Sequence, residues 1–156
     1  MIDTPQITNT KAQASAVIRL AIRQSDMPKF VGPAITEVFS VVKAQGIGPA
    51  SPWYIYVHAL DATTMDFDVG VPVTGPVEPT GRVKAGGLPA ARVARTIYHG
   101  PYEGMHAAWA ELDAWIAKNG HKPAGQLWDV YLAGPETGSD PSKWRTELNR
   151  PLLPGS

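Results

Sequence analysis

Two stretches decide how this sequence is read: Pro49-Ala50-Ser51-Pro52-Trp53-Tyr54-Ile55-Tyr56-Val57 and Pro123-Ala124-Gly125-Gln126-Leu127-Trp128-Asp129-Val130-Tyr131-Leu132. Each opens on Pro-Ala and runs into an apolar, aromatic segment of strand length. Upstream, a slide of 74 positions superposes Gly46 on Gly120, Val42 on Ile116, Val38 on Leu112, Glu37 on Glu111 and Ile35 on Trp109; the strands then match with one further residue inserted. Residues 33–45 carry Ile35, Val38, Phe39 and Val42 at helical spacing, and residues 103–118 carry Met105, Ala108, Trp109, Leu112, Trp115 and Ile116 likewise. Gly46 and Gly120 supply the stops.

Further out, residues 14–22, 53–60 and 65–71 read as strands in the first copy, and residues 91–99, 127–133 and 144–152 in the second. The chain is therefore two copies of strand, helix, strand, strand. One copy alone has too little core. The predicted fold class is α+β: duplicated βαββ units (about 14–73 and 90–153) with pseudo-twofold symmetry, forming one antiparallel sheet with two helices on one face and a ligand groove, a single domain over 1–156. Residues 74–89 form the linker. Between Gly75 and Pro89 seven of fifteen residues are Gly or Pro, with room for one short edge strand near 82–85.

Composition narrows the function. The 156 residues hold 14 basic and 14 acidic side chains, so nothing in the charge favours a nucleic acid or an anionic membrane as partner. With no Cys and four His, thiolate chemistry is absent and no spacing fits a metal motif. No phosphate loop, serine elbow or dinucleotide fingerprint occurs, and no cofactor is expected. The start of the sequence lacks a basic, apolar leader and no stretch approaches the roughly 20 apolar residues of a membrane span, so a cytoplasmic protein is expected.

Strand alternation splits the matched segments by face. Trp53, Ile55, Val57 with Trp128, Val130, Leu132 are apolar and are expected under the helices. Tyr54, Tyr56, His58 with Asp129, Tyr131, Ala133 are expected on the opposite face, where the inserted residue matches Tyr54 with Asp129. One carboxylate among phenol rings suits a flat organic cation, at about 0.5–2 kcal/mol per ring. Such residues also occur as ordinary strand composition and as turn caps.

Other candidates divide in the same way. In His99-Gly100-Pro101-Tyr102-Glu103, Gly, Pro and the acid suit a strand-to-helix turn, while Tyr102 or Tyr98 can line the groove. Trp109 and Trp115 lie on the helical stripe as core or as ligand contacts; Trp53, after Pro52, can turn to either side. Glu147 shares a face with Arg145, as an exposed ion pair or as a second groove carboxylate. Asp66 and Asp68 share a strand face and suit a solvated surface.

The run His99-Gly100-Pro101-Tyr102-Glu103-Gly104 into a Trp-bearing helix, followed by Leu127-Trp128-Asp129-Val130-Tyr131, Gly134-Pro135-Glu136, Trp144-Arg145-Thr146-Glu147-Leu148 and Pro151-Leu152, resembles the GyrI-like small-molecule-binding family. The likeness covers roughly residues 14–152, and the strand Asp66-Phe67-Asp68-Val69-Gly70-Val71-Pro72 fits it too. The same fold serves as effector-binding domain in AraC- and MerR-type multidrug regulators. The resemblance implies a groove for hydrophobic, often cationic, drug-like molecules. It also implies a buried counter-ion where the family commonly has glutamate and this chain has Asp129, one methylene shorter.

The expected function is a stand-alone binder of aromatic, amphipathic compounds, in drug sequestration or sensing, with Asp129 as counter-charge and Trp53, Tyr54, Tyr56, Tyr98, Tyr102, Trp109, Tyr131 and Glu147 as site residues. Two alternatives stand beside it. Some family members hydrolyse cyclopropanoid DNA-alkylating antibiotics, for which Asp129 would activate water. The family name also implies DNA gyrase as a protein partner.

Overall fold

The computed structural model describes residues 2–134 and 138–154; Pro135 and Glu136 of the family motif lie outside them. Eight strands and two helices follow in chain order: β1 (Gln6–Asn9), β2 (Gln13–Arg23), α1 (Met27–Ala44), β3 (Tyr54–Leu60), β4 (Thr64–Pro72), β5 (Lys84–Leu88), β6 (Arg92–His99), α2 (Met105–Lys118), β7 (Leu127–Ala133) and β8 (Arg145–Pro151). They group into two compact units, residues 11–90 and residues 1–10 with 91–156. The class is α+β with antiparallel strands throughout.

In the amino-terminal unit the strand order is β3-β4-β2-β5, with α1 packed on β2 and β4. Val17, Ile18, Ile55, Val57, Phe67, Val69 and Val71 are buried there, together with Ala34, Val38 and Val42 of the helix. The carboxy-terminal unit has the order β1-β6-β8-β7, with α2 on β6. Its core joins Ala94, Tyr98 and Leu148 to Ala108, Leu112 and Ile116 of the helix, with Trp109 and Trp115 packed at the margin. Helix burial at 34, 38, 42 and at 108, 112, 116 repeats with the period of 74 that the sequence shows.

Two elements differ from expectation. α1 begins at Met27 and carries Pro33 within it, because its first two turns bury nothing and so leave no apolar stripe to read. β1, polar and only four residues long, pairs with β6 from the other end of the chain. It occupies the edge position that β5, from the Gly/Pro-rich connector, occupies beside β2. The first ten residues thus complete the second repeat and the connector completes the first.

Strand register corrects the repeat itself. Ile55 faces Val69 and Asp129 faces Leu148; Val57 faces Phe67 and Tyr131 faces Thr146; and β3 and β7 both shift register at the next step, Val57/Ala59 and Tyr131/Ala133. The period of 74 therefore runs straight through the strands with no inserted residue. Tyr54 corresponds to Trp128, and Asp129 corresponds to Ile55, not to Tyr54.

The turn between β6 and α2 is locked by a ring. Tyr98 is buried and its hydroxyl donates to the Pro101 carbonyl at 2.7 Å. A Cβ at Gly100, whose φ is 139°, would fall 2.9 Å from that hydroxyl, and one at Gly104 would collide with it. Gly104→Ala should cost about 1–3 kcal/mol. Urea unfolding should show Tyr98→Phe recovering part of that loss in the double variant, since it removes the colliding atom; two simply additive losses would refute the lock.

Candidate functional site

β7 decides what faces what. Residues directly opposite in an antiparallel pair share a face, so Asp129 and Tyr131 lie on the same side as Leu148 and Thr146. Leu148 is part of the cluster packed on α2. Asp129 and Tyr131 therefore project from the helix-covered face, opposite to the face that simple alternation predicts. Trp128 and Val130 take the other side, with Glu147 and Asn149. Trp128, expected under the helices, is only 2% exposed, yet it is buried on the far face.

Asp129 is 8% exposed. Its Oδ2 accepts a hydrogen bond from the Tyr131 hydroxyl at 2.9 Å, while Oδ1 has no partner among the described residues. Burial pushes its carboxyl up to about 7, against the opposing effect of the Tyr131 hydrogen bond. Burial, with the neighbouring carboxylate, likewise holds the Tyr131 phenol well above its ordinary range. Across the strand, the Thr146 hydroxyl is also buried without a partner. An acid with one oxygen unspent and a hydroxyl in the same condition are groups that a bound molecule can satisfy.

Rings continue from this acid. Tyr102 meets Tyr131 edge-on with centroids 5.7 Å apart, and lies 5.2 Å from Trp144 at a tilt of 37°. Trp144 is held by its indole N–H donating to the Gly138 carbonyl at 3.1 Å. Tyr102, 36% exposed, stands where the row meets solvent. Trp144 and Thr146 were not among the predicted site residues. The signal was present, because 144, 146 and 148 alternate along one strand face.

The remaining candidates are distributed elsewhere. Tyr98 is the turn lock, and Trp109 packs against the core cluster. Glu147 faces away from Asp129; it lies 3.4 Å from the Arg95 guanidinium and accepts from Asn149 Nδ2 at 3.1 Å. Trp53 is half-buried just before β3. Tyr54, fully buried in the amino-terminal unit, lays its ring across Gly70, where a Cβ would strike it, and burial pushes its phenol to about 12. Tyr56 meets His58 edge-on at 4.9 Å, and His58 Nε2 lies 2.9 Å from Asp68 Oδ2. Asp66 is paired with Arg19 through two contacts of 2.8 and 2.9 Å. Asp68, far from being solvated, is 7% exposed. Among the described residues no three His, Asp or Glu gather as metal ligands, and no helix is long and apolar enough to cross a membrane.

A raised acid fixes the sign of a stability effect. Between its ordinary value near 4 and about 7 the folded chain holds a proton that the unfolded chain has released, so stability falls as pH rises through that window. Urea unfolding of the ligand-free protein should give a lower midpoint at pH 8 than at pH 5. Asp129→Asn should remove most of that difference, amounting to a few kcal/mol at most. An equal pH dependence in the variant would show that Asp129 does not carry it.

The comparisons with known proteins agree on the fold. A family model, the GyrI-like small molecule binding domain, matches residues 4–152. No curated protein matches the sequence. Among solved structures, the C-terminal domain of EcmrR superposes with a TM-score of 0.81 at 20% identity, covering 96% of this chain and 97% of that one. Against EcmrR in its DNA complex the chain spans only 57% of the partner's length. SAV2435, solved with tetraphenylphosphonium bound, gives 0.70 at 11% identity over 97% of this chain and 95% of that one. A hydrolase encoded by lin2189 from Listeria innocua gives 0.65 at 14% over 96% and 91%.

Proposed function

The chain belongs to the GyrI-like small-molecule-binding family, and we propose that it takes hydrophobic, aromatic, positively charged molecules at the Asp129 site, in drug sequestration or sensing. The observation that carries this is the buried Asp129 carboxyl with Oδ1 unpartnered, beside Tyr131 and in line with the rings of Tyr102 and Trp144. A cation placed there gains a counter-charge in a medium of low polarity and ring faces or edges alongside. A neutral guest gains only the rings. That SAV2435 holds tetraphenylphosphonium supports the reading by analogy of fold.

Ligand charge and acid charge are coupled. A cation binds the ionised carboxylate, so binding below pH 7 requires Asp129 to release its proton. Affinity should fall as pH drops below about 7, toward the level reached with a neutral side chain at 129, and level off above it. Quenching of Trp fluorescence by rhodamine 6G between pH 5 and 8 measures this. Asp129→Asn should weaken binding by about tenfold at pH 8, equivalent to about 1.4 kcal/mol, and flatten the profile. Unchanged affinity in the variant would remove Asp129 as counter-ion.

A second reading is hydrolytic. An acid poised near 7 in a site with a free oxygen is matched to taking a proton from water, and ring opening of a cyclopropanoid alkylating antibiotic needs such a base beside an apolar slot. The fold likeness to a Listeria innocua hydrolase supports it by analogy. Mass spectrometry of the drug after incubation should then show a ring-opened product gaining one water, and none with Asp129→Asn. No product above the variant's level would end this reading.

A further inference from the structure

The acids of the carboxy-terminal unit differ in what the chain gives them. Glu147 has the Arg95 guanidinium at 3.4 Å and the Asn149 amide at 3.1 Å. Asp113 has Arg150 at 3.5 Å, and that pairing occupies the cation that lies two residues beyond Leu148 on the face of Asp129. Asp129 has neither kind of partner. Burial and the Tyr131 hydroxyl act on its carboxyl, and among the described residues no guanidinium, ammonium or imidazole does. The charge that this place lacks is positive.

Hydrogen bonding narrows the guest further than charge does. Asp129 Oδ1 and the Thr146 hydroxyl are both buried without a partner among the described residues. Thr146 lies opposite Tyr131, and Asp129 is two residues from Tyr131 on the same face, so the two groups are diagonal neighbours across β7 and β8. An ionised carboxylate only accepts, and a hydroxyl oxygen can also accept. One group that donates N–H bonds in two directions therefore meets both.

A cation without N–H does half of this. A tetraaryl or tetraalkyl onium ion answers the charge but leaves Oδ1 and the Thr146 hydroxyl unmatched, and an unmatched buried acceptor keeps its full desolvation cost. A neutral amide donates but brings no charge. An amidinium or guanidinium brings both, as a planar positive group with N–H bonds on separate nitrogens. The rings suit a flat body behind such a head: Tyr131 and Trp144 flank Thr146, one across the ladder and one two residues before it, and Tyr102 meets both, with centroids at 5.7 and 5.2 Å.

We propose that the Asp129 site selects flat aromatic amidines and guanidines over onium ions of equal charge, and that Thr146 is the residue that makes the distinction. The head group donates one N–H to Asp129 Oδ1 and another to the Thr146 hydroxyl, while its aryl body lies along Tyr102 and Trp144. This preference rests on Asp129 acting as counter-ion, and adds to it the chemistry of the head group.

Two probes, 2-naphthamidine and trimethyl(2-naphthyl)ammonium, carry the same ring system and the same charge. Calorimetric titration at pH 8 should give the amidine about tenfold tighter binding. Thr146→Val, which keeps the shape and removes the hydroxyl, should weaken the amidine about fivefold and so narrow the ratio, whereas Thr146→Ser should keep it. Equal affinity for the two cations, or an equal loss of both in Thr146→Val, would overturn the preference; Asp129 stands as counter-ion in that case if Asp129→Asn weakens both cations. If Asp129→Asn weakens neither, the counter-ion and the preference fall together.

Discussion

Strand alternation, applied to β7, is the constraint from which the rest follows. A side chain on a sheet has only two directions, and Asp129 takes the direction of Leu148, toward the helix-covered core. An acid in that position loses its hydration, and a single phenol hydroxyl makes up part of the loss. The consequence is a group held between two protonation states near neutrality, with one oxygen unmatched. Had β7 been set one residue along, the acid would have lain on the far face, with Asn149 and away from Leu148 and Thr146.

The two repeats show how a small core can diverge without losing its frame. Helix burial at equivalent positions, the same strand order, and a register shift at the same step in β3 and β7 are retained. What changes is the content of equivalent places: Ile55 against Asp129, Val57 against Tyr131, Met65 against Trp144. One unit has exchanged aliphatic packing for an acid and a row of rings. Polar groups introduced there destabilise the apo form, and a ligand that matches them restores what they lost.

Much of this was legible in the sequence, for definite reasons. The helical stripes and the period of 74 survive because buried positions in a helix tolerate little besides apolar side chains, so both copies keep the pattern. Asp129 stood out as an acid within an apolar strand, and the family likeness led to the same residue. The face is not legible, because Trp128 and Val130 are as apolar as core residues while both faces of this strand are largely covered, and hydrophobicity then carries no direction. The inserted residue in the alignment has the same cause, since it aligned aromatic with aromatic where the backbone aligns Tyr54 with Trp128 only by staying in step. β1 is not legible because a four-residue polar edge strand has no periodicity to detect, whereas Trp144 is legible by alternation with Thr146 and Leu148, residues on the face of Asp129.

The pairing of β1 with β6 has a consequence in time. A ribosome adds about 5–20 residues per second, so Gln6–Asn9 emerges several seconds before Arg92–Arg95, its partners, exist. Residues 11–90 can close on themselves during that interval. The waiting strand has both backbone edges unmatched, the condition that invites pairing with a stranger. Its sequence, Gln-Ile-Thr-Asn, offers little for such a partner to bury, so the polarity that hid the strand from pattern analysis also protects it while the chain is being made.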